Sequence, residues 1–181
     1  MARYITPISL LTILALAGCG TGPRTEAGRR DLEQDASATV TTFEQLDPTI
    51  EEFFDTSAAY AVFPSITKGG AGIGGAGGWG VVYEDGEVIG YSRLRQATIG
   101  WQLGGQNYSQ IIFLEHDDNL TRFKRGQLAL SAQASAVAAR SGAAAAADYE
   151  RGVAVFTATR GGAMFEASIG GQEFSFTPKE D

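Results

Sequence analysis

A glycine-rich run between two apolar segments is the feature that most limits how this chain can fold. Residues 69–80 read Gly-Gly-Ala-Gly-Ile-Gly-Gly-Ala-Gly-Gly-Trp-Gly, and the 181-residue chain holds 24 glycines in all. Glycine inside a strand permits sharp bends and lets another backbone approach closely. The run therefore predicts a strand that bends or packs tightly against its neighbours.

The segments around this run predict further strands. Asp85-Gly86 lies between two β-branched runs and is typical of a hairpin turn, whereas Tyr60–Pro64 reads as a short strand that proline ends. Gln127–Ala139 is rich in alanine, which favours a helix, but its period of two favours a strand, and we follow the period. The remaining predicted strands are Thr98–Gly104, Gln110–Leu114 after a break at Gln106-Asn107, Gly152–Phe156, Ala163–Ile169 and Glu173–Phe176.

Short helices are predicted on either side of these strands. Val40, Phe43 and Leu46 recur at helical spacing, and Asp47-Pro48 is typical of an N-cap followed by proline at the first helical position. A third helix is expected at Leu120–Arg125, capped by Asp118-Asn119 and closed by Gly126. The predicted class is α+β: short helices on a curved antiparallel sheet, open or closed into a barrel, within one domain over residues 37–181.

The first residues resemble the precursor of a bacterial lipoprotein. Residues 1–18 carry one early charge and then an apolar stretch too short to span a bilayer, as in a signal peptide. Leu16-Ala17-Gly18-Cys19 resembles the lipobox, which implies cleavage before Cys19 and palmitate-type acyl chains on it. The alternative is an ordinary cleaved signal that carries a cysteine. Residues 19–36 are small and polar and predict a flexible tether.

Composition excludes several classes of function. The formal charge of −7 and the pI near 4.7 argue against a nucleic-acid partner, since neutralising phosphates supplies most of that affinity. The single cysteine, Cys19, excludes an internal disulfide and a cysteine-based metal site. Gly20, in place of the aspartate that retains enterobacterial lipoproteins at the inner membrane, favours the outer membrane on its periplasmic side.

No motif predicts catalysis, a cofactor or a metal. Gly72–Gly77 fits G-x-G-x-x-G, but the residues that follow it are typical of a strand and not of the helix that would hold a pyrophosphate. His116 is the single histidine, and a zinc site or a Ser-His-Asp triad needs more partners than it has. It reads instead as part of a polar turn. Calcium at Asp117 and Asp118 stays open, although no EF-hand spacing is present.

A set of basic and aromatic residues is the candidate lipid-binding site. If they converge, the cations bind lipid phosphates and the tryptophans lie at the head-group level of a bilayer. The alternative is scattered solvated charge around two core tryptophans. The candidates are Lys68, Arg93, Arg95, Arg122, Lys124, Arg125, Trp79 and Trp101.

Four segments resemble the SYLF domain, or Ysc84-like, family. Ala59–Gly70 contains the strand that ends in Phe-Pro and is followed by lysine and glycines, and Gly72–Gly80 resembles the glycine-rich strand of the family. Gly100–Gln106 is similar to its Gly-x-Gln-x-Gly signature, and Ala147–Phe156 to its Tyr-Ser-x-x-x-Gly-Leu-Phe-Ala-Gly segment. The four segments occur in the family's order, and the likeness spans about residues 40–176.

This resemblance implies lipid binding without catalysis. Eukaryotic members bind phosphoinositides through the domain and a basic amphipathic N-terminal helix, and some bind actin; bacterial relatives are commonly lipoproteins or exported proteins. Two departures separate this chain from that pattern. Its predicted helices are acidic, with Glu44, Glu51 and Glu52, and Gly90–Leu94 lacks the proline of the family's Gly-Trp-Ser-x-Pro. Lipid binding therefore carries over, whereas the phosphoinositide ligand and actin do not.

Three hypotheses follow from the sequence. The first is a non-enzymatic module that binds anionic phospholipid head groups at the envelope to which it is anchored. The second is a structural or adaptor lipoprotein that binds a protein partner and touches the membrane only through its acyl chains. The third, an envelope hydrolase or metal enzyme, depends on His116 and has the least support.

Overall fold

One very long β-hairpin organises the fold. The computed structural model describes residues 23–128, 130, 136–159 and 171–180. The elements in chain order are α1 (Glu26–Leu46), a 3₁₀ turn (Pro48–Ile50), α2 (Glu51–Thr56), β1 (Ala59–Glu84), β2 (Glu87–Leu114), α3 (Asp117–Lys124), β3 (Val137–Ala138), a second 3₁₀ turn (Ala144–Ala146), β4 (Val153–Thr159) and β5 (Gln172–Pro178).

Strand β2 is the centre of the sheet. It pairs antiparallel with β1 along one edge, from Glu84 opposite Glu87 to Ala59 opposite Leu114. Along its other edge, β5 pairs with the first half of β2 and β4 with the second half. The hairpin turn predicted at Asp85-Gly86 is confirmed, because both residues have positive φ, 53° and 77°, as a type I′ turn requires.

Glycines allow the two halves of β1 to pack closely against each other. A Cβ at Gly80 would lie 2.6 Å from the Val62 carbonyl oxygen, and one at Gly78 would lie 2.5 Å from that of Ser65. The two halves of β1 are therefore in backbone contact, as the glycine-rich run predicted. Register shifts between Phe63 and Ile66, Gly70 and Gly72, and Val82 and Tyr83 interrupt the ladder along its length.

Two hydrophobic clusters lie on opposite faces of this sheet. The inner cluster joins residues of both hairpin strands to β4, β5 and α3, including Phe63, Leu94 and Phe123. The outer cluster joins the opposite face of the sheet to α1 and α2, including Phe43 and Phe53. The α+β class is thereby confirmed.

Several predicted strand boundaries are wrong. Pro64 does not end a strand, because the shift between Phe63 and Ile66 accommodates it inside β1. Gln106-Asn107 does not interrupt the strand either. These residues belong to the continuous strand β2 and pair with Lys68 and Thr67 of β1. The sheet is also not wholly antiparallel, because β3 pairs parallel with β4.

The sheet is not closed into a barrel. In the described part of the chain, β1 and β3 occupy the two ends of the strand order, and the structure pairs neither with the other. Closure depends on pairing between strands that are distant in sequence, which local patterns do not determine. Of the two forms expected, the open sheet is therefore correct.

The helices begin earlier than predicted. Thr25 caps α1, accepting a hydrogen bond from the Gly28 amide at 3.1 Å, so residues 26–36 are helical and do not belong to a flexible tether. The cap at Asp47-Pro48 is confirmed. The third helix begins at Asp117, with His116 at its N-cap, and Gly126 follows its end with φ of 66°.

Some predictions fall outside the described residues. These are the signal peptide and Cys19 in residues 1–22, the strand Ala163–Ile169, and positions 129 and 131–135 of the strand predicted at Gln127–Ala139. Within that last segment only Val137 and Ala138 form a strand, β3, and the predicted strand is wrong at the described residues Gln127, Leu128, Leu130 and Ala136. The strand predicted at Glu173–Phe176 is confirmed as part of β5. The one predicted at Gly152–Phe156 is confirmed as part of β4 from Val153 onward, whereas Gly152 lies in the preceding turn with φ of 78°.

Candidate functional site

Trp79 and Arg93 form a stacked pair on the outer face of the sheet. They are opposite each other in the β1–β2 register, and the guanidinium carbon of Arg93 lies 5.6 Å from the centre of the Trp79 ring. Arg95 is exposed two residues farther along β2 and therefore on the same face. The hairpin thus brings together three of the eight predicted residues, which we call the Trp79 surface.

Helix α1 is held beside this surface by polar contacts. The Tyr91 hydroxyl donates a hydrogen bond to Glu33 Oε1 at 2.6 Å, and the Arg29 guanidinium lies 5.6 Å from the Tyr91 ring centre. Burial, together with this bond to the Glu33 carboxylate, raises the pKa of Tyr91 to about 12. Arg29 also pairs with Glu180 at 3.0 Å, which joins the segment after β5 to the same helix.

A groove separates the first turns of α1 from Trp79. Its volume is about 410 Å³, within the usual range of small-molecule sites. Leu32 and Trp79 contribute apolar surface, whereas Asp31, Asp35 and Arg24 contribute charge. The complete lining is Pro23, Arg24, Thr25, Gly28, Asp31, Leu32, Asp35 and Trp79.

The other predicted basic residues lie elsewhere. Arg122 and Arg125 are exposed at α3, which packs against the inner cluster on the opposite face of the sheet. Lys124 of α3 is paired with Glu84 at 3.1 Å and lies 6.0 Å from the Phe176 ring centre. The eight residues therefore do not converge on one site.

The last two candidate residues, Lys68 and Trp101, also lie apart from the Trp79 surface. Lys68 is only 9 % exposed and shares a face with Ile66 of the inner cluster. Within the described residues it makes no ion pair. Trp101 lies in β2, and its side chain is outside the described part of the structure.

Sequence reasoning missed the contribution of α1 to the groove. Arg24, Asp31, Leu32 and Asp35 fall in the segment that was assigned to the tether. The sequence nevertheless contains a helical signal. Three- and four-residue steps, which place residues on one face of a helix, connect Gly28, Asp31 or Leu32, and Asp35.

The structure also places the motifs examined for catalysis. Gly72–Gly77 lies inside β1, so a strand and not a helix follows the glycine motif. His116 is exposed at the N-cap of α3, 3.7 Å from Glu115. Where the structure describes the chain, no three His, Cys, Asp or Glu side chains are grouped as metal ligands, and no helix has both the length and the apolar character needed to cross a membrane.

Comparison with known proteins supports the resemblance. No curated protein matches the chain. Residues 95–180, however, match the sequence model of the family described as Ysc84, Las17-binding protein actin regulator. The matched segment runs from the middle of β2 through α3 and β4 to the end of β5, and it includes Arg95 of the Trp79 surface. By this match, residues 95–180 are similar to the Ysc84 family, also called the SYLF domain family.

Proposed function

We propose that this protein is an envelope lipoprotein whose Ysc84-type domain binds anionic phospholipid head groups without catalysing a reaction. Acyl chains on Cys19 would hold it to the outer membrane on the periplasmic side. The family match supports the type of domain, and the resemblance to SYLF domains supports lipid as the ligand. An actin partner, as the family's description names, does not fit this location.

The position of Pro23 is the observation that carries the proposal. Pro23 lines the same groove as Trp79, and it follows Cys19 by four residues. Four extended residues span at most about 14 Å. Lipid on Cys19 would therefore keep the Trp79 surface within reach of the bilayer, whichever way the intervening residues run.

The chemistry of the Trp79 surface suits that location. Tryptophan is enriched at the membrane–water interface, where its ring is partly apolar and its N–H remains hydrated. Each arginine near an anionic membrane surface contributes about 1 kcal/mol of attraction. Neither Arg93 nor Arg95 forms an ion pair with a described carboxylate, so both remain available for lipid phosphates.

Vesicle flotation of the chain from Gly20 onward tests the proposal, because this chain lacks Cys19 and its acyl chains. We expect it to float with phosphatidylglycerol vesicles at low salt and to be released at high salt, since screening weakens surface attraction. Substituting Arg93→Gln should weaken binding about fivefold, the equivalent of one surface cation. Arg125→Gln, which removes the same charge on the opposite face, is the matched control and should change binding little. Absence of binding to any anionic vesicle would overturn the proposal.

The net charge of −7 favours a second candidate, an adaptor that binds a protein partner. An acidic chain is repelled by an anionic membrane except where its cations face it, so the acyl chains alone would then make the membrane contact. Cross-linking in intact envelopes distinguishes the two. Recovery of one stoichiometric protein partner, together with failure of flotation, would establish the adaptor.

A further inference from the structure

Arg29 joins three separate parts of the molecule through one guanidinium. Its Nε donates a hydrogen bond to the Pro23 carbonyl oxygen at 3.3 Å, and its Nη2 pairs with Glu180 at 3.0 Å. The same group lies 5.6 Å from the centre of the Tyr91 ring, within the range of a cation–π contact. Arg29 therefore connects the residue that leads to Cys19 with both the sheet and the segment after β5.

The next residue of α1 is also an arginine, but its surroundings are different. The side chain of Arg29 is 23 % exposed, whereas that of Arg30 is 71 % exposed. Arg30 pairs with Glu26, an exposed residue one turn earlier on the same helix. Of the two arginines, Arg29 faces the sheet and Arg30 faces solvent, so equal charges occupy different environments.

Tyr91 places the contacts of Arg29 beside the Trp79 surface. It lies two residues before Arg93 on β2. Its partner on β1 is Val81, which lies two residues after Trp79. Residues two apart on a strand share a face of the sheet, so Tyr91 adjoins the Trp79 surface on the outer face. Because Tyr91 is only 3 % exposed, its ring is a fixed support for the guanidinium.

The hydrogen bond to Pro23 constrains how the chain approaches its anchor. The proline ring limits φ to a narrow range, so holding the carbonyl group also fixes the direction from which the backbone enters Pro23. Cys19 precedes Pro23 by four residues, which span at most about 14 Å. This spacing limits how far the Trp79 surface can lie from lipid on Cys19, but distance alone does not decide which face of the domain lies against the bilayer.

We infer that Arg29 is a positioning residue that orients the outer face of the sheet, with the Trp79 surface, toward the membrane. It acts by holding Pro23 in a fixed place beside Tyr91. Without this contact the anchor would still hold the domain, but the domain would sample other orientations, and the effective concentration of the Trp79 surface at the bilayer would fall. The inference rests on the proposed function, since it requires both lipid on Cys19 and binding by the Trp79 surface.

Protection of Trp79 from acrylamide measures this orientation. We would place the processed full chain, purified from membranes, in vesicles of phosphatidylglycerol and phosphatidylcholine in a fixed ratio. Subtracting the emission of a matched Trp79→Phe chain isolates the Trp79 signal from that of Trp101. Flotation of the chain from Gly20 onward, with the same vesicles, shows what each substitution does when no anchor is present.

We expect Arg29→Gln to lower the ratio of protected to exposed Trp79 about fivefold in the anchored chain, the equivalent of one exposed cation–π contact. Arg30→Gln is the matched control, because it removes the same charge from the adjacent, solvent-facing residue. It should leave Trp79 as protected as in the unsubstituted chain. In the chain from Gly20 onward, the two variants should float equally well, because no anchor remains to be positioned.

The outcomes separate this inference from the proposed function. Equal Trp79 protection in the anchored Arg29→Gln and Arg30→Gln chains would overturn the inference and leave lipid binding intact. An equal loss of binding by Arg29→Gln with and without the anchor would also overturn it, since Arg29 would then act on the Trp79 surface itself. No protection of Trp79 in any vesicle, together with failure of flotation, would overturn both.

Discussion

Asp47 joins two distant segments of the chain through one buried carboxylate. It is 1 % exposed, and its Oδ1 accepts hydrogen bonds from the Thr49 hydroxyl at 2.6 Å and the Gly142 amide at 3.0 Å. Its Oδ2 accepts a third from the Ala144 amide at 2.7 Å. Burial alone would raise the pKa of Asp47, but the hydrogen bonds from Thr49, Ala144 and Gly142 outweigh it and lower the pKa from its ordinary value of 3.8.

We predict that Asp47→Asn lowers the free energy of unfolding by about 1–3 kcal/mol, because an amide nitrogen would face donors that now meet an acceptor. The depressed pKa also sets the pH dependence. The contribution of Asp47 is complete above the unfolded value near 3.8 and is lost as pH falls through the lower folded value. Urea unfolding between pH 7 and pH 2 measures both effects.

Asp55→Asn is the control for this measurement, because Asp55 is exposed on α2. It should change stability by no more than about 0.5 kcal/mol. In the Asp47→Asn variant the decline of stability below pH 4 should be shallower than in the natural chain. Identical acid dependence in the two chains would show that the carboxylate of Asp47 contributes nothing to stability.

At the scale of elements, the close packing of the two halves of β1 depends on glycines, which have no side chain. We predict that Gly80→Ala destabilises the protein by about 1–3 kcal/mol, because its Cβ would lie 2.6 Å from a backbone oxygen that cannot move alone. Gly69→Ala, in the same strand, places its Cβ where no atom lies within 4 Å and should cost no more than about 0.5 kcal/mol. Equal unfolding midpoints for the two variants would show that the halves of β1 separate without cost.

Features set by neighbouring residues were predictable. Asp85-Gly86 and Asp47-Pro48 each encode a turn or a cap within a few residues, and both were identified correctly. The start of α1 was missed because its buried face uses small or polar residues, Ala36 and Thr39, which do not stand out as apolar. Sheet closure and the continuity of β1 and β2 depend on distant pairing, which a local pattern does not contain.

The Trp79 surface shows why the site could be predicted only in part. Its three residues were identified from their side-chain chemistry. Which residues lie opposite them, however, depends on the register of the β1–β2 pairing. Counting back from the Asp85-Gly86 turn would place Trp79 opposite Ser92. The register shift between Val82 and Tyr83 moves its partner to Arg93, and thereby brings a cation onto the ring.

At the scale of the whole molecule, the short distance from Cys19 to Pro23 should set how the protein meets its membrane. We predict that inserting twenty Gly/Ser residues after Gly20 lowers the protection of Trp79 from acrylamide in anionic vesicles. A longer flexible linker lowers the effective concentration of the surface at the bilayer. The control is an insert of only four Gly/Ser residues at the same position, which has the same composition as the long insert but lengthens the linker little. Unchanged protection with the long insert would show that the short spacing from Cys19 does not raise the effective concentration of the Trp79 surface at the bilayer.

The nested geometry of the β1–β2 hairpin also has a consequence for folding kinetics. Every pair from Glu84–Glu87 out to Ala59–Leu114 is centred on the same turn. Once the turn at Asp85-Gly86 has formed, each further pair closes a loop only slightly longer than the one already closed. Each step therefore costs only a small part of the total loss of loop-closure entropy. The chain can thus form contacts between residues far apart in sequence by zipping outward, without closing any large loop in a single step.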